Sequence, residues 1–261
     1  MLYDDQAARY DERAGLPAAA VESVADALFG IVGIRGGERL LEIGAGTGIM
    51  SLPLLDRPIR YIGFDQSEAM LSHFREKLLE RDRAAELLVA DGNDRWPVDD
   101  RSISIIFASR ALHHLDAAHV ADETRRVITP PGGWLILGRV RRPEDTAKSI
   151  VRRKMRQLLL EQGVDGRSHE NGARALVREL ERIGGQMREP VVAARWTRLR
   201  RPSEWIENWQ KKSGLASRDV PENLKSAVLA DLRQWAIEQY GDLDREVEQE
   251  EYFELMPFAI G

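Results

Sequence analysis

The residues with the clearest chemical potential are Leu40-Leu41-Glu42-Ile43-Gly44-Ala45-Gly46-Thr47-Gly48, where an apolar run meets glycines at alternate positions. Glycine lets the main chain turn sharply and lets a ligand approach it closely. The spacing predicts that this loop opens a helix, whose first N–H groups would face the ligand. Glu42 stands just before the loop. A carboxylate there repels a pyrophosphate but can pair with an ammonium group. The dinucleotide pattern G-x-G-x-x-G would need glycine where this chain has Ile49. Both features disfavour a nicotinamide dinucleotide. They suit a nucleoside ligand with an ammonium group and no phosphate, of which S-adenosylmethionine is the obvious case. The plain alternative is a tight strand-to-helix turn.

Two further acidic positions repeat the theme. Asp65 ends a second apolar run, about 20 residues past the first glycine, where a carboxylate reaches ribose hydroxyls. It could instead cap the next helix, as could Ser67. Asp91-Gly92-Asn93 follows a third run. A carboxylate there can accept from an adenine amino group, and the triplet is equally an Asp-Gly turn.

His113 and His114 follow a fourth apolar run and are candidate general bases, with a structural role the plainer reading. His73, His119 and His169 read as surface residues. No metal site is expected from the histidine spacing, and the chain has no cysteine. Arg139 to Arg156 holds eight basic residues against two acidic ones. Such a segment could attract an acidic or phosphate-bearing acceptor, although a solvated helix face is the simpler reading. Arg195, Arg198, Arg200 and Arg201 lie near Trp196, Trp205 and Trp209. Basic residues among aromatics can bind RNA. The net charge of -5 argues against a nucleic-acid partner, and Trp205 and Trp209, four apart, read as helix core.

The elements that must position these residues alternate. Strands are expected at 39–43, 61–64, 86–90, 103–108 and 133–140, with helices at 68–81 and 117–128 between them. Apolar strands alternating with helices predict a parallel sheet covered on both faces, wound by right-handed crossovers. Helical patterns follow at 146–161, 172–183 and 224–240, with late strands at 191–199 and 247–258. A single domain is expected: a cofactor-binding core over 1–140, a substrate-covering insertion with a late strand over 141–215, and a final helix and strand over 216–261. The first residues lack the basic and apolar regions of a signal peptide. No apolar run approaches the ~20 residues of a membrane-spanning helix. A cytoplasmic location with no membrane partner is therefore expected.

These residues resemble the class I S-adenosylmethionine-dependent methyltransferases, especially the small-molecule branch that includes ubiquinone/menaquinone-type enzymes. The resemblance runs through Tyr3 to Asp11, Leu40 to Gly48, Ile62-Gly63-Phe64-Asp65, Val89-Ala90-Asp91-Gly92, Ala111-Leu112-His113-His114-Leu115 and Pro131-Gly132-Gly133-Trp134-Leu135. It implies a Rossmann-like α/β fold: a doubly wound, mostly parallel seven-stranded sheet with its last strand antiparallel, helices on both faces and a helical insertion after strand five. It implies that Glu42, Gly44, Ala45, Gly46 and Gly48 hold the methionine end of S-adenosylmethionine. Asp65 with Gln66 would hold the ribose and Asp91 with Gly92 the adenine, and Met70 and Asn93 would be further cofactor-binding residues. Ser109 would lie near the methyl group, and Tyr10 would close over the cofactor. The acceptor would be a small molecule, methylated at O, N or C. A non-catalytic S-adenosylmethionine-binding regulator and, less favoured, an NAD-type oxidoreductase are the alternatives.

Overall fold

A computed structural model describes residues 16–111, 115–165, 169–216 and 218–261. Tyr10, His113 and His114 lie outside these residues.

Among the described residues the first helix, α1 (Ala18–Val32), was not evident in the sequence. It buries Val21, Val24, Ala25, Leu28 and Phe29 and stops at Gly33. That residue is left-handed at φ 66, and its N–H bonds to the Phe29 carbonyl. Strands β1 (Arg39–Ile43), β2 (Arg60–Asp65), β3 (Glu86–Val89), β4 (Ile105–Ser109) and β5 (Gly133–Arg141) form the expected parallel core. Leu41 pairs with Ile62 on one side and Ile106 on the other, and Ile43 with Phe64 and Ala108. Central parallel strands are covered on both faces, which is why they read as unbroken apolar runs. Between them run α2 (Glu68–Glu80) and α3 (Ala117–Val127).

After β5 come α4 (Ala147–Glu161), α5 (His169–Arg182), β6 (Gln186–Met187) and β7 (Val191–Arg200). Then follow α6 (Pro202–Gln210), α7 (Glu222–Tyr240) and β8 (Val247–Ile260). The sheet order is β3-β2-β1-β4-β5-β8-β6, with β7 paired to β8. The sheet therefore has eight strands where seven were expected. The additional one is the two-residue β6, antiparallel to β8, too short to leave a period of two in the sequence.

Residues fall into two compact units. The first comprises 1–140, 172–194 and 253–261, and the second 141–171 and 195–252. In the first, Leu41, Phe64, Ile106, Leu135, Leu180 and Phe258 share one core. In the second, Val151, Met155 and Leu159 form a stripe of α4 against Trp205, Val228 and Leu232. The buried Lys225 finishes α6: its ammonium donates to the carbonyls of Gln210 and Lys212, each at 2.7 Å. Among the described residues, no helix is long and apolar enough to cross a membrane.

Candidate functional site

Strand order runs outward from β1 in one direction and from β4 in the other, so the chain reverses between them. In open α/β sheets ligands bind beyond the carboxyl ends of the strands at such a reversal. The loop after β1 carries Gly44 to Gly48. The loop after β4 begins with Ser109 and Arg110.

The glycine loop is tied down from below. Gly44 and Ala45 donate to the Phe64 carbonyl at 2.9 and 3.0 Å. Gly46 N–H donates to Asp65 Oδ2 at 3.0 Å, and Ser67 N–H to Asp65 Oδ1 at 2.9 Å. Asp65 thus fixes the loop on β1 and the start of α2 together, while remaining partly exposed. The N-cap of α2 is Ser67, whose hydroxyl accepts from Met70 N–H. The glycines differ in purpose. At Gly48 (φ 76) a Cβ would stand 2.2 Å from the Phe74 ring, so this position is reserved for α2. At Gly46 (φ 55) the nearest atom to such a Cβ is Asp65 Oδ2 at 3.9 Å, and that side of the loop is open.

One expectation is corrected. The loop does not open an α-helix: residues 49–51 are turns, followed by a five-residue 3-10 helix, Leu52–Asp56. Pro53 lies in its first turn and removes a backbone donor. The loop after β1 therefore presents no α-helix N-terminus, and the N–H groups of Gly44, Ala45, Gly46 and Gly48 already bond within the protein.

Glu42 is only 2% exposed. Its Oε2 accepts from Ser51 Oγ at 2.7 Å and from Tyr61 Oη at 2.8 Å. Burial raises its pKa to about 7, against the opposing effect of these two hydrogen bonds, and Asp65 adds repulsion. Burial, followed by the Glu42 charge, also pushes the Tyr61 hydroxyl up. The carboxyl is thus poised near neutrality beneath the loop, and a nearby cation would favour its ionised form.

On the β3 side, Asp91 is exposed, and its Oδ1 accepts from Asn93 N–H at 2.9 Å. Asn93 Oδ1 in turn accepts from Asp116 N–H at 2.9 Å. Gly92 is buried: a Cβ there would meet the Leu115 side chain at 2.9 Å, and its carbonyl accepts from Trp96 Nε1. This loop is held from α3, where Glu123 accepts from Trp96 N–H at 2.7 Å and pairs with Arg126 at 2.6 Å.

Gln66 is exposed at the end of β2, whereas Met70 is buried in the packed face of α2. The Ser109 hydroxyl is buried without a hydrogen-bond partner among the described residues. Arg110 beside it has φ 61, a conformation that L-residues with bulky side chains seldom adopt. Ser51, Tyr61 and Arg110 were missed in the sequence. Ser51 and Tyr61 could have been suspected only by knowing that Glu42 is buried, and Arg110 leaves no compositional signal.

The parallel sheet and the loop geometry define the class of fold, a Rossmann-like α/β fold. Residues 40–132 match the family model described as a methyltransferase domain. The chain is 29% identical over 140 residues to 27-O-demethylrifamycin SV methyltransferase of Amycolatopsis mediterranei, covering 52% of this chain and 48% of that one. It is 28% identical over 143 residues to demethylmenaquinone methyltransferase of Beutenbergia cavernae, covering 54% and 58%. The chain thus spans about half the length of these relatives. The structure of the BH2331 protein of Bacillus halodurans shares the fold at a TM-score of 0.56 and 17% identity, over 90% of this chain and 97% of that one. The resemblance read from the sequence therefore holds in both sequence and fold.

The residues present fit S-adenosylmethionine. The open side of Gly46 leaves room for a ligand against the main chain of the loop. Glu42 beneath the loop would supply negative potential toward an ammonium, and the buried Ser109 hydroxyl has no hydrogen-bond partner among the described residues.

Proposed function

We propose that the chain transfers a methyl group from S-adenosylmethionine to a small-molecule acceptor. The observation that carries this reading is the open face of Gly46 above Asp65, at the reversal of a Rossmann-like sheet. In this reading the loop from Gly44 to Gly48 holds the methionine end. Glu42 balances the ammonium from beneath, and Asp65 with Gln66 holds the ribose. Asp91, Gly92 and Asn93 hold the adenine, with Met70 supporting α2 from its packed face, and Ser109 stands on the methyl side. Tyr10 is proposed to cover the cofactor.

The sulfonium supplies an electrophilic methyl. The protein needs chiefly to align an acceptor in line with the departing sulfur and exclude water. A base is required only where the acceptor must lose a proton, and His113 and His114 remain candidates for that role. The names of the relatives point to different acceptors, a demethylrifamycin and a demethylmenaquinone, so they favour no single acceptor atom for this chain. The basic segment beginning at Arg139 supports an acidic acceptor.

Calorimetric titration with S-adenosylhomocysteine and NADH tests the reading. The expected result is micromolar binding of S-adenosylhomocysteine, at least tenfold weaker in Asp65→Ala (about 1.4 kcal/mol or more), and no comparable binding of NADH. Preference for NADH would overturn it.

A further inference from the structure

The second unit holds a group of six cations in which, among the described residues, only Arg142 and Arg198 are ion-paired, both to Glu251. Lys148, Arg152 and Arg156 stand four apart on α4 and share one helical face. Each is partly buried, whereas Arg153, one position round the helix, is exposed. The solvated-face reading of this segment is therefore corrected for three of its residues. Arg142 precedes α4, and Arg198 and Arg200 occupy alternate positions on β7 and so share a face of that strand. Gln249 of β8 accepts from Lys148 N–H at 3.2 Å, and Glu251 of β8 pairs with both Arg142 and Arg198, so β8 ties the start of α4 to β7. Burial lowers the pKa of Lys148 to about 8, and Arg142, Arg152 and Arg200 add to the effect. Burial likewise lowers Arg152, with Arg156 and Arg142 contributing.

Glu251 is the carboxylate within the cluster, and it is already engaged. It is ion-paired with Arg142 at 2.5 Å and with Arg198 at 3.5 Å, and it accepts from Trp196 Nε1 at 3.1 Å. Arg152, Arg156 and Arg200 make no ion pair among the described residues, and the buried Nε atoms of Arg142 and Arg156 have no hydrogen-bond partner. The contrast with neighbouring arginines is direct: Arg195 pairs with Glu250 and Arg201 with Glu246. Aromatic surface lies alongside, with Lys148 Nζ 6.0 Å from the Trp205 ring centre and Arg198 5.9 Å from that of Trp196. Uncompensated, partly buried cations repel one another and leave donors unmade, and both costs vanish when a multivalent anion enters. Guanidinium groups match the oxygens of a phosphate in paired fashion.

We infer that Arg142, Lys148, Arg152, Arg156, Arg198 and Arg200 form a binding site for a phosphate or diphosphate group carried by a small organic ligand. Assigning that ligand as the methyl acceptor rests on the function proposed above; the anion site itself does not.

The test is calorimetric titration of the full chain with inorganic pyrophosphate, inorganic phosphate and citrate, each with and without S-adenosylhomocysteine. Saturable 1:1 binding of pyrophosphate is expected, tighter than that of citrate. It should weaken about tenfold in Arg152→Gln and in Arg156→Gln and stay unchanged in Arg153→Gln. S-adenosylhomocysteine affinity, which also reports that the variants are folded, should not change. Equal weakening by Arg153→Gln, binding indifferent to all three substitutions, or binding of RNA but not pyrophosphate would overturn the anion site. Pyrophosphate binding without S-adenosylhomocysteine binding would leave the anion site standing and remove the methyltransferase reading.

Discussion

In the proposed site Glu42 would link stability and binding in opposite directions. Its pKa is about 7 in the folded protein against an ordinary value of 4.5. A carboxyl with a raised folded-state pKa contributes stability in full below the unfolded value and loses it as pH rises through the folded one. The native protein should therefore lose stability between pH 5 and 8, by at most about 3 kcal/mol from this group. Glu42→Gln, whose amide oxygen can still accept from Ser51 and Tyr61, should flatten that loss. It should also weaken S-adenosylhomocysteine roughly tenfold, since the neutral amide no longer balances an ammonium. Denaturant melts across this pH range, paired with titrations, check both effects; an unchanged pH profile would show that Glu42 does not titrate there. The loop glycines separate in the same way. Gly48→Ala should cost roughly 2–4 kcal/mol from the Phe74 clash and the positive φ. Gly46→Ala should cost less in stability and more in affinity. The sequence displayed all of these residues, but it could not rank the glycines, because only the position of Phe74 distinguishes a packing glycine from a ligand-facing one.

Among the elements, the β3–β4 connection shows how a helix braces the loop that carries the exposed Asp91. Glu123 on α3 holds Trp96 N–H, and Arg126 bonds to Glu123, Asp100 and the carbonyls of Trp96 and Val98. Against the opposing effect of burial, Arg126 and the Trp96 N–H hold the Glu123 carboxyl below its ordinary pKa. That stability is present at neutral pH and disappears as pH falls through the folded value. Glu123→Ala should cost about 2–3 kcal/mol at pH 7, with a shallower acid limb than the native protein. Equal melting curves at pH 7 would refute the brace. Such long-range ties are invisible in sequence. The strands and α2 were legible because burial on both faces and a periodic apolar stripe write themselves into local composition. The loop after β1 misled because Gly44 to Gly48 mimics a helix start, while Pro53 and the turns at 49–51 divert it into a 3-10 helix. β6 was illegible because two residues carry no period.

For the whole molecule, the first 140 residues carried enough spaced signals to indicate fold and cofactor class. The second unit did not, because its α4 reads as an ordinary charged helix until the partial burial of Lys148, Arg152 and Arg156 is seen. The first unit thus carries the proposed methyl-donor site and the second the proposed anion site. The most direct measurement is a crystal structure of the chain grown with S-adenosylhomocysteine. The account predicts the homocysteine end over Gly46, the ribose hydroxyls on Asp65 and the adenine beside Asp91. A ligand bound away from the loop after β1, or a loop whose Gly46 face is closed to it, would contradict the account.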